Sequence, residues 1–432
     1  MKDINILVKD LLCNNLTRAV GCTEPAAIGY AAACARKYSK GELKSIEVLV
    51  SANILKNAMA VQIPQIRLAG INYAAALGFV IGNPGSKLAL FSEATEETVK
   101  KAGELVQAGK IGVNLKNTDK PVYIEITVKT DENSARVVIE DGHTNIGLIE
   151  VDGRVISKGE KTPELKNAGT DEDEQCEITI KDIYRFVNEY PLHEIELLDE
   201  SIRTCREISR AGIENQYGLE VGRLMNEYIR KGIIKDDLAT YAAILTAAAC
   251  DARMAGINMP VIANSGSGNQ GISAAMPLIA VSERIMVPYD KLRKAVAMSH
   301  LMTMYIKKFT GPLSSVCGAV ASATGAGCGI VILMDGGLSG IYYAIQNVMG
   351  NLTGMICDGA KASCALKVYT CTNAAVQAAL MAIDGKYVKE TDGFIETSAE
   401  KTIRNYGFFA KSCSPCNDKV ILDLMISKLK VG

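Results

Sequence analysis

Four cysteines set in glycine- and alanine-rich segments carry the first chemical signal in this sequence: Cys22, Cys317, Cys357 and Cys364. Gly21-Cys22-Thr23-Glu24-Pro25 reads as the opening of a helix, with Thr23 as the N-cap and Pro25 in the first turn, where its missing N–H costs nothing. Cys22 then sits at the positive end of a helix dipole. That position favours a thiolate, which can act as base, nucleophile or metal ligand. A small buried thiol packing at a helix start is the plain alternative. Cys357 and Cys364 are seven residues apart, which two turns of helix would bring to one face. The spacing is not that of a zinc ribbon. With Cys317, three thiolates in an apolar core would suit a [4Fe–4S] cluster with one iron left open. Buried core cysteines remain the competing reading for all three.

Other segments offer polar groups. Gly266-Ser267-Gly268-Asn269-Gln270-Gly271 matches the dinucleotide fingerprint G-x-G-x-x-G literally. Its lead-in Val261-Ile262-Ala263 is short, Pro277 falls where the helix should run, and no second strand follows, so a nucleotide site is disfavoured. The loop's N–H groups, with Asn264, Ser265, Ser267, Asn269 and Gln270, could instead hold a small carboxylate; a tight structural turn is the alternative. Cys413-Ser414-Pro415-Cys416 is the only C-x-x-C; Pro415 makes it read as a turn, and it has no second pair for zinc. Of three histidines, His143 follows an Asp141-Gly142 turn, His300 ends an apparent helix and His193 follows Pro191; none has a partner at metal-ligand spacing.

Composition narrows the setting. The chain has 432 residues, enough for two or three domains. Lys+Arg (47) and Asp+Glu (48) nearly cancel, Trp is absent and aromatics are 5%, which argues against a nucleic-acid partner. Thirteen cysteines without a secretory apolar start point to a reducing, cytoplasmic setting. From Phe309 to Cys357 the only charged residue is Asp335. Phe309–Met334 is long enough to span a bilayer, yet its Gly, Ala, Ser, Thr and Cys content and Pro312 favour a buried core over a membrane segment.

The elements that must position these groups follow from periodicity. Residues 4–37 read as two helices broken around Ala19–Cys22, and Leu43–Ser51 as a strand through Ile46, Val48 and Val50. Helices are expected near Ile71–Val80 and Glu93–Gln107. Strands are expected between Gly112 and Ser157, turning at Asp141-Gly142 and Asp152-Gly153. The Asp171–Glu174 run reads as a solvated linker. Beyond it nearly everything reads as helix. The expected fold is α+β: residues 1–40 as helices packing with the catalytic part, 41–175 as an inserted α+β domain, and 176–432 as a large helical domain.

Six segments taken together resemble a known family. They are Gly21–Pro25, Ser51-Ala52-Asn53-Ile54-Leu55-Lys56-Asn57, Gly142-His143-Thr144-Asn145-Ile146, Asp251-Ala252-Arg253-Met254, Asn264–Gly271 and Gly354-Met355-Ile356-Cys357-Asp358-Gly359-Ala360. In order along nearly the whole chain, they are similar to the signatures of L-cysteine desulfidases, relatives of the catalytic chain of iron–sulfur L-serine dehydratases. The resemblance implies β-elimination of L-cysteine to hydrogen sulfide, ammonia and pyruvate without pyridoxal phosphate. It implies Cys317, Cys357 and Cys364 as ligands of a [4Fe–4S] cluster and Cys22 as proton acceptor. The Asn264–Gly271 loop, through Asn264, Ser265, Ser267 and Asn269, with Lys56 or Asn57, would hold the substrate carboxylate. His143, Arg253 and His300 would orient the substrate. After Ile63-Pro64 this chain continues Gln65-Ile66-Arg67-Leu68, where the family has a Gly-Thr-Gly turn, which puts any substrate contact there in doubt. L-serine dehydration by the same route stays open, as do a pyridoxal-phosphate lyase using Lys361 or Lys294 and a non-enzymatic thiol-rich redox or amino-acid-binding protein. The Gly/Ala-rich helices would also permit a homo-oligomer.

Overall fold

A computed structural model describes residues 4–59, 61–63, 69–159, 178–311 and 313–429. The acidic run 171–174, Cys176, Pro312 and the departure at Gln65–Leu68 lie outside the described residues. The chain opens with α1 (Ile4–Asn15), β1 (Leu16–Val20), α2 (Thr23–Tyr38), β2 (Leu43–Val50), α3 (Ala52–Ala58) and α4 (Ile71–Ile81). A 3-10 stretch, Pro84–Glu93, precedes α5 (Glu96–Gln107). Strands β3 (Ile111–Leu115), β4 (Tyr123–Thr130), β5 (Ser134–Glu140), β6 (Ile146–Val151) and β7 (Arg154–Lys158) follow. The rest is α6 (Ile180–Glu189), α7 (Glu196–Glu214), α8 (Val221–Arg230), α9 (Leu238–Met254), β8 (Pro260–Asn264), α10 (Gly268–Ile285), α11 (Tyr289–Thr310), α12 (Gly318–Leu333), α13 (Leu338–Leu352), α14 (Cys364–Ile383) and α15 (Ala399–Leu429).

The α+β class holds. One six-stranded sheet runs β3-β2-β4-β5-β6-β7, with β2 and β3 parallel and the other neighbours antiparallel. Alternation along β2 buries Ile46, Val48 and Val50 completely. Ala27, Ile28 and Ala31 of α2 and Ala74, Ala75 and Leu77 of α4 belong to the same core as these strand residues. Asp141 and Asp152 take positive φ at the two expected hairpin turns.

A second core joins the helices. It includes Val8 and Leu12 of α1, Leu16 of β1, and Cys22. Residues 1–40 therefore do not pack as one unit with the helical part. They divide just after Cys22, because the small apolar face of α2 lies in the sheet's core. Residues 16–20, read above as the end of the first helix and the start of the break around Ala19–Cys22, are a strand: β1 pairs antiparallel with β8, from Leu16 opposite Asn264 to Val20 opposite Pro260. The pairing is between residues almost 250 positions apart, so no local pattern announces it.

Two further expectations change, while the described part of the apolar stretch after Phe309 lies in the helical core, as favoured above. Every described residue of α12 from Ala319 to Leu333 is buried. Its many glycines weaken intrinsic helix propensity, and packing overrides it. Among the described residues no single helix is long and apolar enough to cross a membrane. Cys413 and Cys416 lie inside α15 rather than in a turn, despite Pro415. Cys357 and Cys364 do not share a helical face, since α14 begins only at Cys364.

Gly271 fixes how α10 leaves β8. A Cβ there would stand 1.7 Å from the Ile262 carbonyl oxygen, so helix and strand backbones touch. Gly271→Ala must force them apart, and the expected cost is about 1–3 kcal/mol. A thermal melt several degrees below the parent is the expected result; an unchanged midpoint would contradict this packing.

Candidate active site

Gly21-Cys22 and Ser265-Gly266-Ser267 leave opposite ends of the antiparallel β1–β8 ladder, where Ser265 N donates to Asn15 O at 3.0 Å, and Arg253 ties Gly21 to Asn269 at the start of α10. A second clasp joins the remaining thiols. Val316 and Ile356 form an isolated antiparallel bridge; Cys317 N donates to Met355 O at 2.9 Å and Cys357 N to Ser315 O at 2.7 Å. Four helices begin here. Cys22 itself, not Thr23, caps α2; Ser267 caps α10, its Oγ accepting from Gln270 N; Cys317 caps α12; and Cys364 is the first residue of α14. Their N-terminal N–H groups and dipoles give the region a positive potential.

Between them lies a cavity of about 130 Å³. Cys22, Cys317, Cys357 and Cys364 all line it, with Asn57, His143, Arg253, Ser265, Ser267 and Asn269. Three expected substrate residues do not. Lys56 is buried with its ammonium on Asp418 Oδ1 (2.5 Å) and the Cys357 carbonyl (3.1 Å), so it braces the thiol-bearing loop from behind. Asn264 Nδ2 donates to His300 Nδ1 at 3.0 Å and to His300 O at 3.1 Å. This assigns the ring proton to Nε2, which faces Ser201 Oγ at 3.1 Å. His300 and Asn264 thus support the loop and do not reach the cavity. Lys361 and Lys294, considered above for a Schiff base, do not line it either. Lys361 pairs with Asp358, and Lys294 reaches the Asn188 carbonyl at an exposed position.

The cavity also holds groups the sequence did not single out: Glu24, Lys307 and Lys367. Lys307-Lys308 looks like the ordinary basic last turn of a helix, so only the fold reveals that Lys307 is buried. Lys367 donates to Asp358 Oδ1 at 2.6 Å and to the Ile356 carbonyl at 2.8 Å. Gly318 is tied to Gln270, because a Cβ there would meet Gln270 Oε1 at 2.5 Å.

Burial dominates the electrostatics. It pushes the Cys22 thiol from 9.0 up to about 11, opposed by the Arg253 guanidinium, so the helix terminus does not produce a resting thiolate. Arg253 is held by the Gly21 carbonyl (2.7 Å) and Asn269 Oδ1 (3.0 Å). Burial raises the Cys317 and Cys364 thiols and lowers Lys307 from 10.5 to about 8, with Cys357 and Cys317 pulling it back up. It also lowers the His143 imidazole, which is therefore neutral at pH 7. Four buried side-chain atoms at the cavity have no hydrogen-bond partner: Asn57 Oδ1, His143 Nε2, Arg253 Nε and Gln270 Oε1. Unpaired buried polar atoms are rare in a finished core, and their gathering here marks a site made for a polar ligand. Among the described residues no three His, Cys, Asp or Glu side chains close around a single point as ligands of one ion would.

Comparison with known proteins gives the class first. Residues 85–423 match the model of the serine dehydratase alpha chain family, and the chain belongs to that family. Membership points to lyase chemistry on an amino acid. Its similar relatives are called "UPF0597 protein". One from Oleidesulfovibrio alaskensis is 39% identical over 419 residues, covering 97% of each chain. One from Clostridium perfringens is 40% identical over 416 residues, covering 95% of each. One from Parabacteroides distasonis is 38% identical over 430 residues, covering 98% of this chain and 99% of the relative.

The Cys22 environment makes a direct prediction. With a thiol near 11, roughly a thousandth is thiolate at pH 8. Alkylation of Cys22 in iron-free protein, followed by peptide mass spectrometry, should accelerate about tenfold per pH unit up to about pH 10. Arg253→Met should shift that rise to still higher pH. A rate that levels off below pH 9 would contradict the assignment.

Proposed function

We propose that this chain is an iron–sulfur-dependent lyase that eliminates the β-substituent of L-cysteine, releasing hydrogen sulfide, ammonia and pyruvate. The observation that carries the reading is the convergence of Cys22, Cys317, Cys357 and Cys364 on one cavity whose polar atoms lack partners. The donor set suits a cluster. Three soft thiol ligands share one cavity, and Lys307 and Lys367 stand beside them as counter-charge to an anionic group. Bound by Cys317, Cys357 and Cys364, a [4Fe–4S] cluster would supply a Lewis-acidic iron that makes the substrate's β-substituent a better leaving group.

The chain's own residues supply the rest. Elimination removes the α-proton and expels the β-sulfur as sulfide; the resulting aminoacrylate becomes an imine, and water converts that to pyruvate and ammonia. Cys22 is the residue we assign to the α-proton. Its resting thiol must first lose its own proton, and Arg253 favours the thiolate. That proton leaves to solvent before the substrate fills the cavity, and His143, which burial makes a weaker base, lines the same cavity with Nε2 unpartnered and is suited to contact the substrate. The N-termini of α10 and α12, with Ser267, Asn269 and Arg253, offer donors to the carboxylate. The charge-poor core around α12 limits the entry of water.

Family membership favours a second substrate, L-serine, whose hydroxyl would leave by the same route. Anaerobic steady-state assays with both amino acids discriminate. Sulfide and pyruvate release from L-cysteine should exceed pyruvate release from L-serine. Cys22→Ser should lower kcat by about 100-fold or more while leaving iron content unchanged. Faster turnover of serine than of cysteine would sink the desulfidase assignment, and undiminished activity in Cys22→Ser would remove Cys22 from the reaction.

A further inference from the structure

One pair at the cavity has no role in the chemistry above. Asn57 Nδ2 donates to Glu24 Oε1 at 3.0 Å. A carboxylate only accepts, so this bond fixes the amide's orientation and leaves Asn57 Oδ1 as the outward atom. That oxygen is buried and unpartnered, in a residue only 8% exposed. Glu24 and Asn57, bonded to each other, both line the cavity, as does His143. The pair therefore offers the cavity acceptors, which a ligand must meet with donors.

The chemistry of those donors is constrained. A ligand carboxylate would be repelled by Glu24 and would leave Asn57 Oδ1 unpaired. A hydroxyl carries a single hydrogen and no charge. A primary ammonium has three N–H donors and a positive charge, so it can bond Asn57 Oδ1 and a Glu24 oxygen at once. Arg253 lines the same cavity and remains available to the carboxylate that shares the α-carbon with the ammonium.

We propose that Glu24 and Asn57 form the ammonium subsite of the cavity and restrict it to ligands with a free, protonated α-amino group. The inference rests on the amino-acid reading above for the choice of ligand, and it assigns these two residues to positioning and selection.

The test compares L-alanine, an amino acid with no β-leaving group, with L-lactate, in which a hydroxyl replaces the ammonium. Binding to anaerobically purified, iron-loaded protein is measured by calorimetry. The parent protein should bind alanine about tenfold or more tighter than lactate. Glu24→Gln should weaken alanine by a similar factor and leave lactate unchanged or improved, so that the preference collapses. Asn57→Ala, which removes the free acceptor without adding charge, should weaken alanine selectively and guards against a Glu24 variant that does not fold. A parent without preference, or an unchanged alanine-to-lactate ratio in variants that melt like the parent, would overturn the proposal. If neither L-cysteine nor L-serine is turned over, the lyase reading fails while the binding ratio still decides this one.

Discussion

Four helices start at the walls of one buried cavity, and their first N–H groups have no intrahelical partners. Aligned peptide dipoles add positive potential at the same place. Such a convergence is unfavourable unless the cavity receives negative charge. The protein supplies thiols at three of the four starts, as Cys22, Cys317 and Cys364. Burial keeps those thiols protonated when nothing is bound. An anionic ligand or a cluster carrying thiolates answers the potential that the helices create. The buried lysine and arginine add to the same demand.

Two distant braces hold the arrangement. Arg253 ties the Gly21-Cys22 turn to Asn269 of α10, and the β1–β8 ladder holds the strands that lead to these two segments. On the other side, α15 holds the two bridged segments that carry Cys317 and Cys357, the second through Lys56. Ser414 Oγ accepts from Ser315 N at 2.8 Å, and Asp418 holds Lys56 against the Cys357 carbonyl. The eye-catching C-x-x-C at Cys413–Cys416 thus contributes its intervening serine to the site's support. Replacing either member of the Lys56–Asp418 pair would leave the other charge buried alone, which is far more damaging than losing a surface pair.

Much of this was legible in the sequence, and the pattern of what was not has physical causes. Alternation at Ile46, Val48 and Val50 gave β2 because one sheet face is buried. The turn residues Asp141 and Asp152 gave the hairpins because they tolerate positive φ. Strand β1 escaped because its partner is remote in sequence. At the site, cysteines announced themselves by type and context. Lys307 did not, since only the packing of α11 turns a basic helix end into a buried charge. Lys56 and Asn264 lie in the family-like segments and His300 stands out as one of three histidines, yet all three sit behind the residues that line the cavity. Sequence proximity to a site does not reveal which partner a side chain has already satisfied.

The central claim is that three cysteines around one cavity hold a cluster for β-elimination. Iron and acid-labile sulfide per chain, measured on anaerobically purified protein beside Cys357→Ser, test it most directly. The account predicts about four of each in the parent, a visible band bleached by dithionite, and loss of both in the variant. Iron-free parent protein that still releases sulfide from L-cysteine, or a variant that retains the full iron content and spectrum, would contradict it.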